Sequence, residues 1–231
     1  MAVKNYQATI SEVEKAAHAT YRVRFALPEG ETIEFQPGQF MTIKVSDSAR
    51  RSYSIASAPE NNTYLETFAD TVAGGPGSQF FAHAEVGGKA EFLAPLGRFV
   101  YRSTDRPAYF FATGTGLTPF LSMVRFALDT EKTTRKLHLL FGLRHEGDIF
   151  AEDILKAYAE KYSNFSYEIC LSRPDAGWTG FTGRVTARIP DIAETDIDLY
   201  ICGSQKMIND VESAFLAKGV PEAQIYYEQF Y

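Results

Sequence analysis

The chain contains little cysteine, and this scarcity limits the redox chemistry that its own side chains can support. Only Cys170 and Cys202 occur among its 231 residues. Two thiols cannot build a disulfide framework, a four-cysteine iron–sulfur cluster or a zinc ribbon. We therefore expect no metal site, and we expect any redox centre to be a bound organic cofactor.

Long apolar runs are also missing. No stretch approaches the ~20 residues that a membrane-spanning helix needs, and the opening residues Met1 to Tyr6 contain no apolar segment of a secretion signal. The net charge of −6 and the pI near 5.3 lack the basic excess of a nucleic-acid-binding protein. These absences predict a cytoplasmic protein with no membrane span and no nucleic-acid partner.

The residues that are present form two kinds of pattern, which meet near residue 104. Before that point, short β-type runs such as Phe40 to Val45 alternate with Pro and Gly turns, as is typical of a small antiparallel barrel or sandwich. After it, apolar strands such as Ala108 to Ala112 alternate with helical segments, which predicts a parallel sheet covered on both faces. We predict one domain at 1–104 and a second at 105–231.

A glycine turn from Gly114 to Pro119 follows the first predicted strand of the second domain. Gly114 and Gly116 let the backbone turn and approach a ligand closely, and Pro119 suits the first turn of a helix. Free N–H groups at a helix start bind anions such as pyrophosphate. The alternative is a tight strand–helix turn without a ligand, because the turn departs from the full dinucleotide fingerprint.

The segment Arg51 to Ser54 offers a cation, an aromatic ring and a hydroxyl in one predicted strand. A guanidinium binds phosphate oxygens bidentately, and an aromatic ring and a hydroxyl can contact a flavin. An exposed edge strand with a satisfied arginine is the alternative. A second glycine-rich turn at Gly74 to Ser78 favours phosphate binding. Together with the turn at Gly114, these motifs predict two cofactors in one cleft.

Six motifs make the chain resemble the ferredoxin–NADP reductase family of flavoenzymes. They occur in the family's order and spacing over essentially the whole chain: Pro37 to Phe40, Arg51 to Ser54, Gly75 to Ser78, Gly114 to Pro119, Cys202-Gly203-Ser204 with Met207, and Glu228 to Tyr231. The resemblance implies a flavoprotein oxidoreductase without an iron–sulfur domain. Its fold would be an antiparallel six-stranded FAD-binding β-barrel, followed by a parallel-sheet α/β domain that binds NAD(P).

For FAD, the resemblance implies contacts residue by residue. Arg51 would hold the pyrophosphate, Tyr53 would pack on the flavin, and Ser54 would reach toward flavin N5. Phe230 falls in the register of an aromatic that stacks on the flavin, whereas the role of Tyr231 stays open. The remaining FAD-binding positions are Phe68, Gly75, Gly77 and Ser78.

For the nicotinamide dinucleotide, the resemblance implies a site at the ends of two strands. Cys202 would let the ring approach the flavin through its small side chain, and Glu228 would assist charge and proton movement. With Ser54 they form the predicted catalytic set, although a buried cysteine and a solvated glutamate are the alternatives. The predicted nucleotide-binding positions are Gly114, Thr115, Gly116, Pro119, Gly203 and Met207.

Arginines after the apolar strands bear on the choice between NADPH and NADH. The ribose 2'-phosphate of NADPH is best bound by arginine side chains. Arg144, Arg173 and Arg184, together with Ser172, resemble the set that binds this phosphate in bacterial NADPH-using members. We therefore predict NADPH, while NADH stays open because NADH-using relatives share part of this pattern.

The electron acceptor is predicted to be a separate protein. Residues 1–104 carry 10 Lys and Arg against 11 Asp and Glu, so this part is less acidic than the rest, which carries 13 against 18. A basic rim of Lys89, Arg98, Arg102 and Arg106 would suit an acidic ferredoxin or flavodoxin. The alternatives are a reductase of free flavin and a non-catalytic electron-transfer or redox-sensing subunit.

Overall fold

The computed structural model describes residues 2–229, which form two compact units. The first unit contains the residues through Tyr101 and the segment Thr118–Lys132. The second contains Arg102–Leu117 and the residues from Thr133 onward. This division falls close to the predicted change of pattern near 104, but it also assigns the helix after the glycine turn to the first unit. The domain limits 1–104 and 105–231 stay a prediction.

The first unit is built on a curled sheet of six antiparallel strands. Across the sheet their order is β4-β3-β6-β1-β2-β5. This arrangement confirms the predicted antiparallel six-stranded fold of the first part of the chain. In chain order the strands are β1 Lys4–Lys15, β2 Thr20–Ala26, β3 Phe40–Ser46, β4 Ala49–Ser54, β5 Tyr64–Asp70 and β6 Lys89–Leu96.

Alternation of side chains builds the core of this unit. In β3, Met41 and Ile43 are fully buried while their neighbours are partly exposed, as expected for a strand with one face inward. A short helix, α1 (Pro76–Ala82), adds Phe81 to the same core. The ring of Phe25 meets Phe81 at 6.5 Å and Phe92 at 6.0 Å, both edge to face, which is a favoured arrangement of aromatic pairs.

The two edge strands, β4 and β5, are joined just after β4 ends. The N–H of Ala56 donates to the carbonyl of Glu66 at 2.7 Å. The hydroxyl of Thr67, which is fully buried, donates to the carbonyl of Ser54 at 2.8 Å. At the edge of an open sheet, backbone N–H and C=O groups lack a neighbouring strand as hydrogen-bond partner. These two bonds supply partners to backbone groups at both edges of this sheet.

A helix that follows the glycine turn completes the first unit. This helix, α2 (Thr118–Arg125), continues into a π-helical turn at Phe126–Thr130. The Ser122 hydroxyl donates to the carbonyl of Ser57 at 2.7 Å, and Arg125 Nη1 donates to the carbonyl of Ala56 at 2.7 Å. Helix α2 therefore holds the backbone that follows β4.

The carboxylate of Glu66 is surrounded by three guanidinium groups of the same unit. Glu66 Oε2 accepts from Arg22 Nε at 2.9 Å and Nη2 at 2.7 Å, and from Arg24 Nη2 at 3.3 Å. Glu66 Oε1 pairs with Arg125 Nη1 at 2.9 Å. Burial raises the pKa of the Glu66 carboxyl, but the charges and hydrogen bonds of Arg125 and Arg22 outweigh burial and hold that pKa below its ordinary value.

The second unit contains six parallel strands in the order β10-β9-β8-β7-β11-β12. Its central strands are almost completely buried, as the near-continuous apolar runs predict. The predicted parallel-sheet α/β domain is thus confirmed. The strands are β7 Ala108–Thr113, β8 Leu137–Leu143, β9 Phe165–Leu171, β10 Phe181–Thr182, β11 Asp198–Gly203 and β12 Ile225–Gln229.

Two helices accompany this sheet: α3 (Glu152–Lys161) and α4 (Gln205–Ala217). Phe215 of α4 packs on Phe111 of β7 at a ring distance of 5.6 Å. The segment Val185–Asp191 forms a 3₁₀ helix. Its Val185 and Ile189 belong to the same buried apolar cluster as Phe111 and Phe215. Among residues 2–229, no helix combines the length and the apolar character needed to cross a membrane.

The Glu66 cluster generates a prediction about stability. Replacing Glu66 with Gln should lower the free energy of unfolding by about 3–5 kcal/mol at neutral pH, because three guanidinium groups lose their buried counter-charge. A carboxyl whose pKa is lowered by folding stabilises the protein above its unfolded pKa, and this contribution disappears as the pH falls through the folded pKa. The wild type should therefore lose stability more steeply than the variant below about pH 4.5.

Urea denaturation of both proteins across the acid range measures this difference. Replacing the exposed Glu60 with Gln provides the control, and it should leave the stability at neutral pH unchanged. If the free energy of unfolding depended on pH in the same way in the wild type and in Glu66→Gln, the stabilising role of the Glu66 carboxylate would be contradicted.

Candidate functional site

Arg51 and Tyr53 lie on the same face of edge strand β4, as the sequence predicts. Arg51 is exposed, and its Nη1 donates to the carbonyl of Arg50 at 2.8 Å. Within residues 2–229, no carboxylate forms an ion pair with it. The alternative of an edge strand is therefore correct for β4, but the Arg51 guanidinium keeps donors available for an anion.

Tyr53 connects this strand to the second glycine-rich turn. Its ring packs edge to face on Phe81 at 4.7 Å. A Cβ atom added at Gly77 would lie 2.2 Å from the Tyr53 hydroxyl and 3.5 Å from Arg51 Cγ. The absence of a side chain at Gly77 leaves room for the Tyr53 hydroxyl. Burial raises the pKa of Tyr53 to about 12, against the opposing charge of Arg51, so the phenol stays neutral.

The turn before α1 has the features of an anion site. Pro76 occupies the first helical position, Gly75 is the N-cap with extended backbone, and the first turn carries no acidic side chain. Gly75 is half-buried, whereas Gly77 and Ser78 are buried. The structure thus brings Arg51, Tyr53 and Gly77 together. This cradle of a cation, an aromatic ring and free helix N–H groups fits the phosphates and the ring system of FAD.

Ser54 and Phe68 are both buried, with 2% and 3% of their surface exposed. Ser54 is held by its carbonyl, which accepts from Thr67. The predicted contacts of these two residues with the flavin stay predictions. Sequence reasoning missed the residues that hold this segment, because Thr67, Ser122 and Arg125 bind backbone carbonyls and belong to no ligand motif.

In the second unit, the glycine turn forms a 3₁₀ turn at Gly114–Leu117, directly after β7. A Cβ atom added at Gly116 would lie 2.1 Å from the carbonyl oxygen of Cys202 at the end of β11. The structure therefore places the turn against the Cys202 motif within this unit. Thr115 is half-buried at the turn, and Pro119 is the second residue of α2 in the first unit.

Cys202 and Glu228 are paired neighbours on β11 and β12, which brings two members of the predicted catalytic set together. Cys202 is completely buried. Burial raises the pKa of the Cys202 thiol well above its ordinary value, and the charge of Glu228 raises it further. The thiol is therefore neutral at physiological pH, as expected for a packing residue and not for a nucleophile. Gly203 is the last residue of β11, and Met207 lies in the first turn of α4.

The four predicted phosphate-binding residues gather at the carboxyl ends of three neighbouring strands, β8, β9 and β10. The N–H of Arg173 donates to the carbonyl of Arg144 at 2.8 Å, and the hydroxyl of Ser172 donates to the carbonyl of Leu143 at 3.3 Å. Arg184 follows β10, and all three arginines are exposed. In the described part of the chain, none of these arginines has a carboxylate partner. Phe230 and Tyr231 lie outside the described residues.

The two parts of the chain match two families of known domains. Residues 7–101 match the oxidoreductase FAD-binding domain, and residues 110–213 match the oxidoreductase NAD-binding domain. These matches confirm FAD and a nicotinamide dinucleotide as the cofactors.

Relatives are similar over nearly the whole chain. Ferredoxin–NADP reductase B of Sorangium cellulosum (strain So ce56) is 31% identical over 238 residues, which cover 97% of each protein. The electron transfer component of toluate 1,2-dioxygenase from Pseudomonas putida is 32% identical over 229 residues, which cover 97% of this chain and 67% of that protein. The chain thus spans about two thirds of the length of the second relative.

Solved structures share the fold. The cytochrome P450 reductase GcoB of Amycolatopsis superposes with a TM-score of 0.91 at 27% identity, covering 99% of this chain and 70% of that one. The cytochrome b5 reductase domain of Ulva prolifera nitrate reductase gives a TM-score of 0.83 at 22% identity, covering 98% and 97%. With an FAD-binding and an NAD-binding domain in this order, the chain is a flavoprotein oxidoreductase and belongs to the ferredoxin–NADP reductase family.

Proposed function

We propose that the chain transfers a hydride from NADPH, in preference to NADH, to bound FAD and passes the electrons singly to a separate carrier such as ferredoxin or flavodoxin. When bound, FAD supplies the conversion between a hydride and single electrons. The observation that carries the proposal is the grouping of Arg51, Tyr53 and Gly77 in one cradle. A cytoplasmic location remains a prediction from the sequence.

In this proposal the protein's contribution is to bind and orient. Arg51 and the N–H groups at the start of α1 hold the FAD phosphates, and the neutral ring of Tyr53 supports the flavin side. Cys202 keeps a small uncharged side chain at the end of β11, where the nicotinamide is expected. Glu228, its neighbour on β12, is a carboxylate that can hold or move a proton at this edge of the sheet.

Three exposed arginines without carboxylate partners in the described chain support NADPH as the donor. Arg144, Arg173 and Arg184 leave their positive charges uncompensated at the carboxyl ends of adjacent strands. A 2'-phosphate would supply the missing counter-charge and accept bidentate hydrogen bonds. NADH lacks this group and would leave the arginines unpaired.

The nature of the carrier is supported by relatives whose names denote ferredoxin–NADP reductase and electron transfer components of dioxygenases. The predicted basic rim gives less support than its sequence suggests. Arg106 pairs with the buried Asp198 at 2.7 Å, and Arg102 lies over the ring of Tyr226 at 5.7 Å. Arg106 in particular is committed to a structural ion pair.

An absorbance spectrum of the purified protein, followed by anaerobic addition of NADPH or NADH, tests the proposal. We expect flavin bands that bleach faster with NADPH, and reoxidation by ferredoxin or flavodoxin in one-electron steps. A colourless protein that turns over only with added flavin would identify a reductase of free flavin. Bound flavin that neither nucleotide reduces would identify a non-catalytic subunit.

The role of Arg51 predicts a loss of FAD. Replacing Arg51 with Ala should weaken FAD binding by about 10- to 150-fold, because a charge-assisted hydrogen bond contributes roughly 1.5–3 kcal/mol. Flavin content after gel filtration and titration of the apoprotein with FAD measure the loss. Arg50 is the matched control, because it is adjacent on β4 and pairs with Glu91. Equal FAD affinity in Arg50→Ala and Arg51→Ala would refute the role.

The roles of Arg173 and Arg184 predict a change in nucleotide preference. Replacing both with Gln should raise the KM for NADPH by about 10-fold or more, because charged hydrogen bonds to the 2'-phosphate are lost. The KM for NADH should change by less than about twofold, since NADH has no group at that position. Steady-state kinetics with an artificial acceptor give both values. Similar increases for the two nucleotides would sink the 2'-phosphate assignment.

A further inference from the structure

We infer that Thr113 is a positioning residue for the nicotinamide nucleotide. Its hydroxyl joins the glycine turn at the end of β7 to the segment Cys202–Ser204 at the end of β11. The inference rests on the proposed function, because it assumes that these two segments bind the nucleotide.

The hydroxyl of Thr113 makes a contact that the strand pairing does not provide. Backbone pairing between β7 and β11 runs as far as Ala112 and Cys202. One residue later, Thr113 Oγ1 accepts a hydrogen bond from the N–H of Ser204 at 3.1 Å. Ser204 is the N-cap of α4, and its own hydroxyl accepts from the N–H of Met207 at 3.4 Å. One side chain of β7 thus fixes the residue from which α4 starts.

The two segments lie so close together that neither Gly203 nor Gly116 has room for a side chain. A Cβ atom added at Gly203 would lie 2.1 Å from Thr113 Oγ1, and 3.0 Å from both the backbone N and O of Thr113. At Gly116, an added Cβ atom would lie 2.1 Å from the Cys202 carbonyl oxygen. The glycine turn and the Cys202 motif are therefore in direct backbone contact, and Thr113 is bonded across that contact.

The methyl group of Thr113 faces a third strand. A Cβ atom added at Gly142 of β8 would lie 3.2 Å from Thr113 Cγ2. The hydroxyl therefore faces β11 and the methyl faces β8. Serine at this position keeps the first contact only, and valine keeps the second contact only. The two substitutions consequently separate hydrogen bonding from packing.

Loss of the hydroxyl should weaken nucleotide binding more than it weakens the fold. The N–H of Ser204 is exposed enough to bind water instead, so the cost to folding is small. The position of Gly203 and of the start of α4 would, however, no longer be fixed relative to the turn. A ligand that binds both segments must then order them itself, which reduces its affinity.

Thr113→Val is the decisive variant, and it is measured with the FAD-loaded protein. We expect the Kd for NADP⁺, from calorimetry without turnover, to rise by about 3- to 10-fold. The KM for NADPH should rise by the same factor, whereas the melting temperature should stay close to that of the wild type. Thr113→Ser should restore both constants to within about twofold. The KM for NADH should rise by the same factor, because Thr113 ends β7, whereas the arginines assigned to the 2'-phosphate follow β8, β9 and β10.

An unchanged Kd in Thr113→Val would overturn the inference, and so would a Thr113→Ser protein as weak as Thr113→Val, since the methyl would then be responsible. If Thr113→Val does not fold, Thr113→Ala is measured with the same expected loss of affinity.

Hydrogen exchange of the Ser204 amide gives an independent readout, and it should be faster in Thr113→Val than in Thr113→Ser. A wild type that binds and oxidises neither nucleotide would refute the proposed function instead, while unchanged amide exchange would refute the hydrogen bond itself.

Discussion

A buried negative charge organises the first unit. The Glu66 side chain is 1% exposed, and three guanidinium groups converge on its two oxygens from β2 and α2. A carboxylate removed from water in this way must be compensated, so β5, β2 and α2 are held to one arrangement. Because Arg125 also binds the Ala56 carbonyl, the same cluster extends to the backbone that follows β4. The position of β4, the strand predicted to bind the flavin, thus depends on a buried charge on β5.

Both predicted cofactor sites are built by close approach of backbone to neighbouring groups. Gly77 lies where a side chain would collide with Tyr53, and Gly116 lies where one would collide with the Cys202 carbonyl. In each unit, a glycine turn is therefore pressed against a second motif that is distant in the chain. In each case the group opposite the glycine, the Tyr53 hydroxyl or the Cys202 carbonyl, occupies the space that a side chain would take. The glycines define the sites by sterics as much as by flexibility.

The sequence predicts those parts of the molecule whose signals are local. Apolar runs locate the parallel strands, and the residue types in the segments of Arg51, Tyr53 and Gly77 predict a phosphate site. The fold brings these three residues together, and the phosphate site itself stays a prediction. The six-stranded total that the family resemblance implies is correct. The side chains that hold the sites are not predicted from the sequence. Thr67, Ser122 and Arg125 bond to carbonyls that only the tertiary fold brings near them, and no local pattern encodes such a contact.

Helix α2 belongs to the first unit although it follows β7 in the chain, and this limits how parts can be exchanged between relatives. The residues that build the FAD-side unit are not continuous, because Thr118–Lys132 belongs with the strands although the chain has already passed through β7. A graft of the first hundred residues alone would leave the recipient's own helix to supply the third cation for Glu66 and the donors for the Ala56 and Ser57 carbonyls. Compatible chimeras therefore need two exchanged segments and three junctions.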